Sequence, residues 1–221
     1  MSNDEQHDVK PQTQTREISA GEKLSGNPVR DLMVVAALYF PLGFFFWYVF
    51  ASAFMKPASM LTQAVLTGFF PDLFEKIVQL GFQFEVQTRI VMPQEVEGQK
   101  ALLNLDINPL IYAWGLPLLF GLIMATPQRT RWRIVQLAIS LVVVTLITSW
   151  GVFWEIWRDL AFMMGPEVGA VIHDAGLAPT PIALCYQLGF LMFPGVIPIA
   201  AWILMNRPFI EQLVDSRQAE P

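Results

Sequence analysis

Apolar residues are concentrated in four long stretches of the chain, with shorter polar segments between them. These stretches are residues 32–55, 108–125, 134–157 and 181–205. An apolar helix of about 20 residues crosses the roughly 30 Å of hydrocarbon in a bilayer. The pattern predicts an all-α membrane protein with four transmembrane helices, the first over residues 32–55 and the other three, with their loops, within residues 108–206. Pro194 and Pro198 predict kinks in the fourth helix.

The segment between the first two stretches has a different pattern. Residues 82–90 alternate apolar and polar positions with period two, and residues 101–107 do so again after a polar turn at 93–100. Such alternation is typical of half-buried strands, so the two segments predict a β-hairpin. Residues 71–80 have apolar positions spaced as on one face of a helix. They predict a cover for the hairpin, because two strands alone are marginally stable. Residues 56–107 are therefore expected to form a small extracytoplasmic helix plus β-hairpin.

Composition supports the membrane class. The 221 residues are 54% hydrophobic and only 15% charged, which is more apolar and less charged than a soluble globular domain. The net charge of -5 and the lack of a long basic run exclude a nucleic-acid partner, because such binding depends on clustered Lys and Arg. The single cysteine forms no internal disulfide, and the sequence contains no motif for a metal or another cofactor.

Basic residues predict the orientation of the chain. Arg129, Arg131 and Arg133 lie in the short link between the second and third stretches, and short loops rich in Lys and Arg stay in the cytoplasm. With four spans, both termini are then cytoplasmic, and the two remaining connections face the periplasm. Residues 1–31 are polar and poor in aromatic residues, which predicts a disordered cytoplasmic tail. Residues 207–221 form a second cytoplasmic tail.

Three charges interrupt the end of the third stretch, in WGVFWEIWRDL (150–160). Glu155 and Arg158 lie one helical turn apart and are placed to pair, and Asp159 follows them. At about 1.5 Å per residue they lie near the outer headgroups, where the cost of burying charge is largely avoided. One interpretation is an interfacial anchor, with the three tryptophans of this segment as an aromatic belt. The other is an outward-facing functional site, since ionisable groups on a span usually face a bundle or cavity.

A catalytic alternative combines Cys185, His173 and Arg158, which lie at the same predicted membrane face. A thiolate nucleophile, an imidazole acid/base and a guanidinium that stabilises an oxyanion would serve acyl transfer. No local motif supports this, and a lone cysteine in an apolar helix more often behaves as a small hydrophobic residue. Other polar side chains near the span ends are interpreted as interhelical hydrogen-bonding or interface groups. These are Asn108, Tyr112, Tyr186 and Gln187.

The predicted hairpin also offers a surface for a partner. Phe84, Glu85 and Arg89 lie on its first strand. An unpaired strand edge accepts an added strand from another chain. These three residues are therefore a candidate docking strand.

Three segments resemble one known family. NPLIYAWGLPLLFGLIMATP (108–127), SWGVFWEIWRDLAF (149–162) and ALCYQLGFLMFPGVIPIAAWILMNRPFI (183–210) look like the exosortase H-associated membrane proteins of Gram-negative bacteria. The resemblance covers roughly residues 32–214. It implies a multipass protein of the bacterial inner membrane that accompanies an exosortase. Exosortases are membrane cysteine transpeptidases that process proteins with a C-terminal sorting signal at the outer face of that membrane.

The resemblance also bears on the catalytic alternative. Exosortases carry Cys, Arg and His in that chain order, whereas the order here is Arg158, His173, Cys185. This departure argues against the chain being the sorting enzyme. We expect a non-catalytic accessory, held in the lipid bilayer, that contacts an exosortase-like protein or its substrate without a cofactor. The alternative is a membrane-embedded cysteine transpeptidase-like enzyme.

Overall fold

The computed structural model describes residues 28–91 and 102–218. Most of the predicted disordered tail, residues 1–27, and the predicted turn at 93–100 lie outside the described residues. The described helices are α1 (Pro28–Val49), α2 (Ala51–Phe69), α3 (Leu110–Ala113), α4 (Gly115–Ala125), α5 (Thr130–Arg158), α6 (Pro166–Asp174), α7 (Pro179–Gln187), α8 (Phe193–Met205) and α9 (Arg207–Gln218). The described strands are β1 (Phe74–Leu80), β2 (Gln83–Val91) and β3 (Leu102–Ile107).

Three helical stretches within these residues are long and apolar enough to cross a membrane. They are Val29–Val49, Thr130–Met163 and Pro179–Met205. The last two stretches include short π-helical segments, Asp159–Met163 and Leu188–Met192. The predicted second span corresponds to a shorter apolar helix, Leu110–Ala125. The protein is therefore mostly helical, with three candidate spans and one shorter apolar helix.

The first span ends earlier than the apolar pattern predicts. α1 ends at Val49, and after Phe50 the chain begins α2, which packs against α5. Across this contact the Ser149 hydroxyl on α5 donates to the carbonyl oxygen of Ala58 at 3.4 Å. Hydropathy does not mark the break, because no charged residue lies between the two helices.

The strands form one antiparallel sheet in the order β1-β2-β3. The predicted hairpin is confirmed as β2 and β3, with Phe84 opposite Ile107 and Val86 opposite Leu105. All four of these side chains are buried on the inner face of the sheet. The alternation of residues 82–90 therefore reports the burial of one sheet face, as the sequence predicts.

The helix predicted over residues 71–80 is wrong, because residues 74–80 form β1 and the three residues before them form a turn. Phe74 pairs with Thr88 and Lys76 with Gln87, so Glu75 is an extra residue in the ladder. A β-bulge of this kind shifts the alternation by one position. Phe74 and Ile77, three residues apart, both point inward as a result, and this spacing mimics one face of a helix.

The cover that the hairpin needs comes instead from α2 and the end of α5. The backbone N–H of Ile77 donates to Gln63 Oε1 of α2 at 2.9 Å. The Gln63 side chain therefore takes up a backbone donor on the edge of β1 that faces away from β2. The buried indole of Trp157 on α5 contacts the rings of Phe70 and Phe74. The sheet is therefore fixed to the C-terminal end of the helical stretch Thr130–Met163. We call this end of the molecule the sheet end.

Candidate functional site

The charges near the end of α5 form one connected cluster. Arg158 Nη2 lies 2.7 Å from Asp159 Oδ1 and 3.4 Å from Glu155 Oε1. The side chains of Arg158, Glu155 and Asp159 are 29%, 12% and 16% exposed. One guanidinium thus lies between two carboxylates, half-buried and open to solvent or to a partner on one side. The structure brings the three predicted residues together.

Two tyrosines from other helices complete this cluster. Tyr112 Oη of α3 donates to Glu155 Oε2 at 3.0 Å, and the Arg158 guanidinium lies 4.5 Å from the centre of the Tyr186 ring of α7. The interhelical hydrogen bond expected of Tyr112 is therefore present. Its ring lies directly on the backbone of Gly151, where any side chain would overlap it. The cluster joins α3, α5 and α7, a connection that sequence spacing does not reveal.

The position of the cluster follows from the length of the helix. The stretch Thr130–Met163 has 34 residues and is about 50 Å long, whereas the hydrocarbon layer is about 30 Å thick. Counted from Arg133, the last charge before the apolar stretch, Glu155 and Arg158 lie about 33 Å and about 38 Å along the helix, just beyond a layer of this thickness. The predicted aromatic belt needs one correction, because Trp157 is buried under the sheet and faces no lipid.

Cys185 and His173 lie at the same end of the molecule but take no part in the cluster. The Trp150 indole N–H donates to the backbone carbonyl of Cys185 at 3.1 Å, and the exposed His173 lies 3.9 Å from Asp174. Among the described residues, no hydrogen bond or ion pair joins Cys185, His173 and Arg158. Within residues 28–91 and 102–218, no group of three His, Cys, Asp or Glu side chains is placed to hold a metal ion.

The candidate docking strand, β2, is the central strand of the sheet and is paired on both sides. Its backbone therefore offers no free edge for strand addition. Phe84 is buried, while Arg89 is exposed on the outer face. Glu85 Oε1 on that face accepts hydrogen bonds from Gln87 at 3.1 Å and Asn104 at 3.0 Å. What remains available to a partner is the polar outer face, through side chains rather than through the strand backbone.

A second polar cluster, absent from the sequence prediction, joins the helices at the end where α5 begins. Gln136 Nε2 donates to Asn206 Oδ1 at 3.0 Å, and Gln128 Nε2 donates to Gln136 Oε1 at 2.8 Å. Trp202 Nε1 donates to Thr126 Oγ1 at 3.1 Å. The sequence shows polar side chains near the ends of the apolar stretches, which could have indicated this cluster. Which of them pair depends on how the helices pack.

A family model described as exosortase H-associated membrane protein matches residues 26–209. The match covers well over half of the chain and includes the sheet and the charged cluster. The family resemblance seen in the sequence is therefore confirmed. Neither the curated proteins nor the solved structures contain a match.

Proposed function

Since the chain belongs to the exosortase H-associated membrane protein family, we propose that it is a non-catalytic accessory of an exosortase-type protein-sorting system. It resides in the bacterial inner membrane with four spans, of which Leu110–Ala125 is the second. Its sheet end faces the periplasm and contacts the sorting enzyme or its substrate. Both termini are cytoplasmic.

Charge distribution supports this orientation. Arg129, Arg131 and Arg133 lie at the end where α5 begins, and short Arg-rich loops stay cytoplasmic. Glu155 and Asp159 lie at the opposite end of the same helical stretch. An α5 that starts in the cytoplasm places the sheet, α6 and the charged cluster on the periplasmic side.

The observation that carries the non-catalytic proposal is the pairing of Arg158. An arginine that stabilises an oxyanion must aim free N–H donors at the developing charge. Arg158 Nη2 already contacts two carboxylates and the guanidinium lies against the Tyr186 ring, so its positive charge is largely compensated. Its Nε, which makes no hydrogen bond within the described residues, is buried and therefore out of reach of a reacting group. A guanidinium held in this way is better suited to ordering a rigid polar surface, to which a partner docks without an entropic cost of rearrangement.

Complementation of a strain that lacks the chromosomal copy separates accessory from enzyme. Cys185→Ala and Cys185→Ser are expected to retain sorting of the cognate surface protein, measured by its release from the membrane. Loss of sorting in both variants, at a normal level of each protein in the membrane, would show that the thiol is needed and would overturn the non-catalytic proposal.

Cross-linking tests the docking part of the proposal. The double variant Glu85→Lys/Arg89→Glu reverses two charges on the outer face of β2 and is expected to reduce recovery of an exosortase-like membrane protein several-fold. The matched control is Arg207→Glu/Glu211→Lys, which reverses an exposed pair on α9 and is expected to leave recovery unchanged. Equal recovery with both variants would exclude this face as the contact.

A further inference from the structure

The two edges of the sheet differ in how they are covered. On β1, the backbone N–H of Ile77 donates to Gln63 Oε1 of α2. Further along the same strand, the Gln79 amide donates to the carbonyl oxygen of Ser52 at 2.7 Å, so α2 covers this edge. β3 forms the opposite edge of the described sheet and is paired there with β2. On the side away from β2, no described residue makes a hydrogen bond to the backbone of β3.

Alternate residues of β3 direct their backbone groups to this free edge. The carbonyl oxygen of Leu103 faces β2, because it accepts from Thr88 Oγ1 of that strand at 2.6 Å. In an antiparallel ladder, the N–H and C=O of one residue point to the same side, and those of the next residue point to the other. The backbone groups of Leu102, Asn104 and Asp106 therefore face away from β2. A row of unpaired N–H and C=O groups is a template for one more strand.

The side chains on the outer face of the sheet define what an added strand must carry. Asp106 lies directly opposite Glu85 of β2, and it is exposed without an ion pair to a described residue. Like charges that face each other across a ladder are destabilising, so this end of the edge favours a cation. At the other end Leu102 is exposed beside Val91, and the polar Asn104 lies between the two ends.

The position of the free edge favours a strand that lies next to a membrane anchor. β3 ends at Ile107, and the apolar helical stretch Leu110–Ala125 begins three residues later. With this stretch as a span, the Asp106 end of the edge is the end nearer the membrane. Antiparallel pairing is the more stable arrangement, and an antiparallel partner starts near the membrane and runs away from it. Its basic residue therefore comes first, opposite Asp106, and its apolar residue comes last.

A second copy of this chain does not supply such a strand. Copies anchored in one membrane in the same orientation all run β3 toward the bilayer, so one β3 does not meet another in the opposite direction. The carboxylates of Glu85 and Asp106 would also repel the same pair on another copy. The occupant is therefore a different polypeptide, with a basic residue close to its membrane anchor.

We propose that the free edge of β3 binds a juxtamembrane segment of another membrane-anchored polypeptide as an added antiparallel strand. Its outer-face side chains follow the pattern basic-x-polar-x-apolar, so that the basic residue pairs with Asp106 and the apolar residue covers Leu102. In this mode of recognition, main-chain hydrogen bonds provide affinity and the side chains provide specificity. The proposal rests on the assignment of Leu110–Ala125 as a span, not on the sorting role.

Hydrogen exchange of the full chain in nanodiscs tests the proposal. The probe is the peptide Lys-Val-Thr-Val-Leu, whose N-terminus carries an acyl anchor on a Gly-Ser linker, since a shared membrane raises its effective concentration. The matched peptide has Glu in place of Lys. Protection of the Asn104 and Asp106 amides reports strand addition. The basic peptide is expected to protect them about five-fold more than the acidic one, which corresponds to about 1 kcal/mol.

N-methylated peptides distinguish strand addition from simple attraction between charges. The Lys and Thr of the peptide lie opposite Asp106 and Asn104, so their N–H groups point to β3. Methylation of these two nitrogens is expected to abolish the protection. Methylation of the two Val nitrogens, which point away from β3, is expected to preserve it. Protection that survives methylation of Lys and Thr would overturn the proposal.

A charge reversal in the protein provides the last arm. Asp106→Lys is expected to reverse the preference, so that the acidic peptide protects the Asn104 amide more than the basic one does. The control Glu75→Lys changes an exposed acidic residue of β1 and is expected to keep the preference for the basic peptide. An unchanged preference in Asp106→Lys, or no protection of the wild type by the basic peptide, excludes this edge as the binding site. Neither result involves sorting, so the accessory role keeps its own test.

Discussion

The indole of Trp157 on α5 meets the phenyl ring of Phe74 on β1 edge to face, with ring centroids 5.3 Å apart and ring planes at 86°. Phe70, at the end of α2, makes a second edge contact with the same indole at 4.7 Å. Edge-to-face pairs of this kind add stability beyond the area that they bury. The three rings therefore fix the sheet to the end of a helix that is long and apolar enough to cross a membrane.

Removal of the Phe74 ring is expected to loosen the sheet. Phe74 is 2% exposed, and Phe→Ala in a core costs about 3–5 kcal/mol. Phe74→Ala should therefore speed hydrogen exchange of the β1 and β2 amides and lower the melting temperature in nanodiscs. The matched control is Phe69→Ala, since Phe69 is 77% exposed and its loss should change stability by less than about 0.5 kcal/mol. Similar exchange rates in both variants would contradict the anchoring role.

Gly151 is expected to be essential for the contact between Tyr112 and Glu155. A Cβ at Gly151 would overlap the Tyr112 ring, and overpacking of a core costs about 1–3 kcal/mol. Gly151→Ala should therefore lower the melting temperature. At Gly68 in α2 an added Cβ meets no atom within 4 Å, so Gly68→Ala should leave the temperature unchanged or raise it, because Ala favours helix. Equal changes of the melting temperature in Gly151→Ala and Gly68→Ala would show that the close contact at Gly151 does not matter for stability.

Lysine is expected to replace Arg158 poorly, although it keeps the charge. An ammonium lacks the planar guanidinium that lies over the Tyr186 ring while one of its nitrogens, Nη2, contacts both carboxylates. We expect Arg158→Lys to cost about 1 kcal/mol of stability. Arg207→Lys, in the exposed pair with Glu211, should cost less than about 0.5 kcal/mol. Denaturant unfolding in mixed micelles measures both changes, and equal values would argue against the stacked geometry.

The polar cluster at the other end is expected to hold α5 and α8 together. Gln136→Leu removes the hydrogen bonds that join Gln136 to Asn206 Oδ1 and to Gln128 Nε2, although Asn206 Nδ2 keeps its bond to the Trp202 carbonyl. A loss of about 1–2 kcal/mol should follow, measured as thermal unfolding in nanodiscs. Glu211→Gln is the control, because its ion pair is exposed. A melting temperature for Gln136→Leu equal to that of this control would show that the cluster does not stabilise the bundle.

The proposed orientation is tested by labelling in intact cells. The chain has one cysteine, so Gln83→Cys in a Cys185→Ala background carries one reactive thiol on the exposed sheet face. A membrane-impermeant maleimide should label it from the periplasm. Arg129→Cys in the same background should react only after lysis. The reverse pattern would invert the topology and remove the basis for a periplasmic docking surface.

Part of this fold was predictable because hydropathy and alternation are local properties. The length of the apolar stretches predicted spans over residues 134–157 and 181–205, since a bilayer imposes a minimum length on any apolar helix. The helical stretches Thr130–Met163 and Pro179–Met205 contain them and are long and apolar enough to cross a membrane. The alternation in β2 and β3 predicted their pairing, since one sheet face is buried. The bulge after Phe74 was not predictable, because an extra residue in a strand gives the spacing of a helix.

For the candidate site, the sequence alone determined that Glu155, Arg158 and Asp159 share one end of a helix, because the spacing of residues on a helix is fixed by its geometry. Only the tertiary structure decided that Tyr112 reaches Glu155 and that Gln136 reaches Asn206. Both depend on how closely separate helices approach. That distance is set by the side chains of the whole bundle, and no single segment encodes it.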